Sequence, residues 1–320
     1  MVAGLCVLAA VMLTPAVAHA DAPGPTDFRT TIVAIEPDPG TVTAKIIGGD
    51  SFFGLTVEPG TTVSVLGYQG EPYVEFLPTG EVRENRASPT YFNSRSKAGA
   101  AVPDGITAES PPDWVTVATD GSFAWHDHRT HWMGGTPPGS RGDVVPTADG
   151  VPIVVDGVDV LVRTETVWLE SASPLPAIVG ALLGAGLALA LWKRREWVLL
   201  GAAVLATGVG AVQYRSVPSL TGPTALMWAL PLTALLAAVV AVTVRSPWVR
   251  LGAMWIGGAE LVVWAFQRRA GFTAALLPTD APFWLDRAIT GLAGAAGLVA
   301  LVFALARLVE LVTRPPQSAA

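Results

Sequence analysis

The chain carries one cysteine, Cys6, and few charged residues: Lys, Arg, Asp and Glu make up 14% of its 320 residues. A lone cysteine excludes a disulfide framework and any zinc or iron–sulfur site built on thiolates. Soluble chains run near ~25% charged, so the low figure excludes a single water-soluble globule. Bases are outnumbered, 20 against 26 acids for a formal charge of −6, which argues against a nucleic-acid partner. No nucleophile elbow, phosphate loop or dinucleotide fingerprint occurs, and the chain reads as non-enzymatic.

Apolar sequence is abundant, with 51% hydrophobic residues and a mean hydropathy of +0.48. It is unevenly spread. Residues 21–172 hold 21 acids against 9 bases, a balance of −12, and residues 173–320 hold 5 acids against 11 bases, a balance of +6. An acidic, polar half is thus followed by an apolar, weakly basic one.

Residues 4–18 form an apolar stretch short for a membrane span, and Ala18-His19-Ala20 matches a small-x-small cleavage pattern. This predicts a signal peptide over 1–20, whose removal would take Cys6 and His19 with it; a retained anchor is the competing reading. Five later stretches approach the ~30 Å of a hydrocarbon core at ~1.5 Å per residue. They run about 175–192, 197–213, 223–244, 249–266 and 288–306, within a transmembrane helical domain over 173–314, and the second is the shortest. The basic hairpin Lys193-Arg194-Arg195-Glu196 belongs in the cytoplasm. With it fall Arg245, Arg250, Arg307 and Arg314, against Arg215, Arg268, Arg269 and Arg287 outside, in keeping with the positive-inside rule. The expected location is a cell membrane crossed several times, the N-terminal domain extracytoplasmic and the tail 315–320 cytoplasmic.

Over 21–172 the hydrophobic period is two. Residues 28–35, 53–57, 61–66, 73–77, 114–118, 122–128, 152–155 and 158–169 read as short strands. Turn residues such as Pro59-Gly60, Asp120-Gly121 and Asp156-Gly157 separate them. The fold class expected is an all-β extracytoplasmic domain, an antiparallel sandwich or barrel, followed by an α-helical transmembrane bundle of about five helices. No flexible tether follows the last strand, so the β domain is expected close to the bilayer.

One dense chemical cluster stands out: Trp125-His126-Asp127-His128-Arg129-Thr130-His131-Trp132-Met133. On a strand, His126 and His128 would point to one face about 6–7 Å apart. His131 would point to the other face unless the chain bends, which would make Arg129-Thr130 a bulge or the start of a turn. Imidazoles without thiolate favour copper or zinc, with Asp127 and Met133 as further candidate ligands. Nitrogens converging within about 4 Å would fit one tetrahedral ion. The competing reading is structural: Trp125 packs inward, Asp127 and Arg129 pair near the surface, and Trp125, Trp132 and the histidines hold the fold or dock an envelope protein partner.

Weaker candidates are Arg141-Gly142-Asp143, read as a turn, and Glu71, Glu75, Glu81 and Glu84, read as solvated acids rather than a calcium site. Small residues in the spans, among them Gly180, Gly184, Gly208, Gly210, Gly291, Gly294 and Gly297, predict close helix packing. Glu260 is the acid well inside a span, about 4 Å from its middle. It offers either a proton relay in a small transporter or a neutral carboxyl bonded across helices. Phe283 and Trp284 suit the headgroup layer, with membrane lipid as partner, and Asp286 suits the positive end of the last helix.

The Trp-His-Asp-His-Arg-x-His-Trp-Met string, Gly48-Gly49-Asp50 with its following strand, and Pro282–Arg287 resemble an uncharacterised actinobacterial membrane protein family. The resemblance spans nearly the whole chain and implies a signal peptide, a β ectodomain and a multi-span region, with no established activity or cofactor. More loosely, the β domain is similar to exported copper-handling proteins that bind metal through histidines.

Overall fold

A computed structural model describes residues 23–95, 100–221 and 224–313. The expected signal peptide with Cys6 and His19, as well as Arg314 and the tail 315–320, lie outside the described residues. Strands β1 (Phe28–Glu36), β2 (Val42–Ile47), β3 (Phe52–Val57), β4 (Val63–Leu66), β5 (Pro72–Phe76) and β6 (Val82–Asn85) come first. After one helical turn at Pro89–Asn93 follow β7 (Trp114–Ala118), β8 (Ser122–Trp125), β9 (Val144–Val145), β10 (Gly150–Val155) and β11 (Val158–Trp168). One sheet runs β1-β11-β10-β4-β5-β6-β7 with β9 beside β11, and the other runs β2-β3-β8. The described strand pairings are antiparallel.

Alternation explains how the two sheets close on one core. In β11, Val160, Val162, Thr164 and Thr166 point inward and the residues between them outward. Phe53, Leu55 and Val57 of the small sheet share a single cluster with Val63, Val65, Val74, Phe76, Val151 and Val162 of the large one. The architecture is therefore a two-sheet sandwich. Its tightest hairpin joins β10 to β11 through Asp156 and Gly157, with φ of 48° and 83°. Both residues adopt the left-handed conformation that a two-residue hairpin needs to match strand twist.

Five helices follow: α1 (Leu175–Ala190), α2 (Arg195–Ser216), α3 (Leu226–Thr243), α4 (Pro247–Gln267) and α5 (Phe283–Thr313). Four helical stretches, Trp192–Ser216, Leu226–Thr243, Pro247–Gln267 and Phe283–Glu310, are long and apolar enough to cross a membrane. At 16 residues, α1 rises about 24 Å and falls short of the ~30 Å core. This corrects the expected spans: the short one is the first, 175–192, and not 197–213. The helix stops at Leu191 before the basic turn, whereas α2 continues through Tyr214 and Arg215, where hydropathy fades but the helix does not.

Small residues let these helices touch backbone to backbone. A β-carbon on Gly180 or Gly184 of α1 would fall on the carbonyls of Ala288 or Leu292 of α5, and one on Gly291 would fall on that of Ala177. Gly258 and Gly297 form the same close contact between α4 and α5, whereas Gly208 faces open space. In lipid such packing, rather than hydrophobicity, holds helices together. Leu182 and Leu189 of α1, Trp255 and Phe266 of α4 and Val302 of α5 are left exposed on the outside of the bundle, an apolar surface compatible with lipid contact.

The sandwich is fastened to the loop between α4 and α5. Thr26 and Leu276 form an antiparallel bridge, and the Ala172 amide donates to the Thr273 carbonyl at 2.7 Å. Asp27 accepts from the Ala275 amide at 2.7 Å, Arg141 at 2.8 Å and Ser171 at 2.9 Å. Arg287 braces the loop from below, donating to Gly271 and Ala274 carbonyls. The sandwich thus sits directly on the bundle.

Candidate metal centre

The strand expected over 122–128 ends at Trp125, which pairs with Phe53 of β3. Asp127 stops it by capping a 3-10 turn, His128–Thr130, accepting from the Arg129 amide at 3.0 Å. Thr130 closes the turn, donating its amide and hydroxyl to the Asp127 carbonyl at 3.1 and 2.9 Å. Thr30 of β1 then holds the Thr130 carbonyl at 2.5 Å. The chain does bend, and the bend returns His131 to the side of His126 and His128.

The rings form a compact triangle, with centroids 4.4 Å apart for His126–His131, 5.2 Å for His126–His128 and 5.3 Å for His128–His131. One ring nitrogen of each lies within 4.8 Å of the other two. That is wider than the ~4 Å expected of an assembled site. Bonds of about 2.0 Å place tetrahedral nitrogens about 3.3 Å apart, so an ion would draw the rings together by roughly 1.5 Å at most. His126 and His131 are buried and His128 half-buried, so His128 has the most room to move.

His126 is already oriented as a ligand. Its Nδ1 lies 2.6 Å from the Ser51 carbonyl, which can only accept, so Nδ1 carries a proton and Nε2 is the nitrogen left to ligate. A backbone carbonyl on the far nitrogen is the usual device for fixing a metal-binding histidine. The carbonyl belongs to a tight turn, Gly48–Ser51, whose Gly49 (φ 85°) has no room for a β-carbon beside Thr26 and Leu276. His128 stacks on Tyr68 at 5.7 Å and 18°, and its amide donates to the Tyr68 hydroxyl at 2.9 Å.

Asp127 serves the scaffold. Both carboxylate oxygens face Arg129, Nε at 2.9 Å and Nη2 at 2.7 Å, and Trp125 Nε1 adds a bond at 2.9 Å. Burial works against its charge, but the Arg129 cation and these hydrogen bonds prevail and hold the carboxyl below the usual range. The ionic pair expected near the surface is drawn inward, Asp127 buried and Arg129 half-buried, because the turn folds Arg129 back over Tyr68 and onto the Leu66 carbonyl. Trp125 is 3% exposed and packs against Phe53, Tyr73 and Phe123, so it holds the fold and offers no contact surface.

Met133 is 48% exposed and lines a cleft beside His131 and Trp132. Asp50, unremarked as a ligand in the sequence, is buried and lines the same cleft; its only signal was the Gly-Gly turn before it. The remaining candidates do not join the cluster. Trp284 is exposed at the start of α5, and Glu260 is half-buried on α4. Arg268 is committed to Asp286 at 2.5 Å, to Thr290 and to Gln213, and so does not pair with Glu260. Glu71 caps the Pro89–Asn93 turn through Ser88 and Thr90, Glu75 pairs with Arg83, Glu81 accepts from Thr116, and Glu84 meets Tyr73 and Arg95. They do not gather around a cation. Arg141 turns inward to Asp27 and over the Trp168 ring, a structural use of its tripeptide.

Comparison with protein-family models, with curated proteins and with solved structures returns no match.

Proposed function

We propose that this membrane protein binds a transition-metal ion, copper or zinc, through His126, His128 and His131, in a β domain outside the cell membrane. The observation that carries the reading is convergence: three imidazoles separated in the sequence by a turn meet within 4.8 Å, one with its tautomer fixed by a carbonyl. The donor set of imidazoles without thiolate suits copper(II) and zinc(II). The work is to hold, sense or hand on the ion, and no reaction is required of it.

The proposed orientation has two supports. Lys193, Arg194, Arg195, Arg245, Arg250 and Arg307 lie at helix ends remote from the sandwich. The sandwich side carries fewer bases, Arg215, Arg268, Arg269 and Arg287, in keeping with the positive-inside pattern. Protease added to intact cells should digest the β domain.

The binding test uses the full chain in lipid nanodiscs, titrated with copper(II) and zinc(II) by calorimetry beside a His126→Ala/His128→Ala/His131→Ala variant. A saturable isotherm lost in the variant is expected. Equal heats from both proteins would leave the docking role, with the histidines as plain packing residues, as the better reading.

A further inference from the structure

Two clefts reach the histidine triad from different sides. The first, about 580 Å³, lies between the sandwich and the bundle, with Asp27, Asp50, His131 and Met133 on one wall and Ala270 and Thr273 of the α4–α5 loop on the other. The second, about 520 Å³, lies on the sandwich alone and includes Tyr68, His128, Arg129 and Ala148.

Charge and cover distinguish them. The first cleft is lined by two acids and by neither lysine nor arginine. Asp27 is partly neutralised by Arg141 at 2.8 Å, and Asp50 is buried in the same lining as His131. The second cleft is lined by no acid and by Arg129, itself paired with Asp127 at 2.7 Å, and on that side the Tyr68 ring lies flat against His128. A divalent cation is drawn toward the acid-lined first cleft, and the second offers it no comparable charge and a flank covered by Tyr68. Three protein ligands also leave a four-coordinate ion one position to fill, the arrangement that keeps an ion exchangeable.

We infer that an ion held by the triad keeps one coordination position open to the interdomain cleft, where it carries exchangeable water, and that this cleft is the ion's port. The inference rests on ion binding by the triad and adds where the ion enters and what completes its shell. Ala270 and Thr273 are exposed and belong to the bundle side, so enlarging them narrows the port without touching a ligand. Ala148, also exposed, does the same for the second cleft.

The experiment loads the full chain in nanodiscs with copper(II) and records pulsed EPR in D2O, then follows copper(II) uptake by stopped flow. Deuterium coupling from an inner-sphere water is expected. Ala270→Trp and Thr273→Trp should each slow uptake about tenfold or more, and Ala148→Trp should stay within about twofold. A copper signal with imidazole nitrogens and no bound water, or slowing by Ala148→Trp instead, overturns the inference and leaves ion binding standing. No imidazole-coupled copper signal in the unmodified protein overturns both.

Discussion

Ser51 contributes only a carbonyl to the cluster, yet that carbonyl decides which nitrogen His126 presents. Asp127 has a comparable indirect part: its charge is spent on Arg129, and the pair sets the turn that delivers His131. Because the Asp127 carboxyl is held below its ordinary value of 3.8, its contribution to stability is complete above that pH and is lost as pH falls through the lowered value. The melting temperature of the unmodified protein should therefore decline below about pH 4. Asp127→Asn leaves a half-buried guanidinium without its counter-ion and should cost about 1–3 kcal/mol at neutral pH, read in thermal melts followed by Trp fluorescence. A variant melting like the original at pH 7 would remove Asp127 from this role. The three histidines were legible from their density in the sequence. Their convergence was not, because the bend depends on Leu66, Tyr68 and Thr30, far away in the chain.

β11, with its clean alternation, and β3 and β10, apolar runs beside turn residues, could be read directly from the sequence. β6 could not, since Val-Arg-Glu-Asn looks like loop. Its Glu84 and Asn85 are buried because Tyr73, Arg95 and the Pro72 carbonyl satisfy them. β2 is an edge strand with Lys45 in its middle, and β9 is two residues long. In α5 the sequence suggested a start at 288. The helix begins five residues earlier because Asp286 and Arg287, unwelcome in lipid alone, are paired and hydrogen-bonded. The small-residue pattern was legible, though which glycines mattered was not. Gly180→Leu and Gly291→Leu should separate α1 from α5 and lower the detergent melting temperature by several degrees, at roughly 1–3 kcal/mol for overpacking. Gly208→Leu, facing open space, should change it little. Equal effects at all three positions would argue against the α1–α5 seam.

At the scale of the molecule, sandwich and bundle are joined through Asp27, which ties β1, Arg141, Ser171 and the Ala275 amide together. Asp27→Ala should speed hydrogen exchange over 273–276 while the sandwich core stays protected, since Val63, Val74 and Val162 lie in a separate cluster. Unchanged exchange in that loop would mean the Thr26–Leu276 bridge suffices alone. The two-part division of the chain was plain from charge and hydropathy. The junction was not, because it joins residues near opposite ends.

That junction has a consequence for how the protein is made. Asp27 and Ala275 are 248 positions apart, so at about 5–20 residues per second a ribosome takes roughly 12–50 s to supply the second after the first. The last strand ends at Trp168, and from there until the loop is made the nascent sandwich waits with one flank bare. The wall that Ala270 and Thr273 give to the cleft beside His131 is set in place only after four helices have been synthesised.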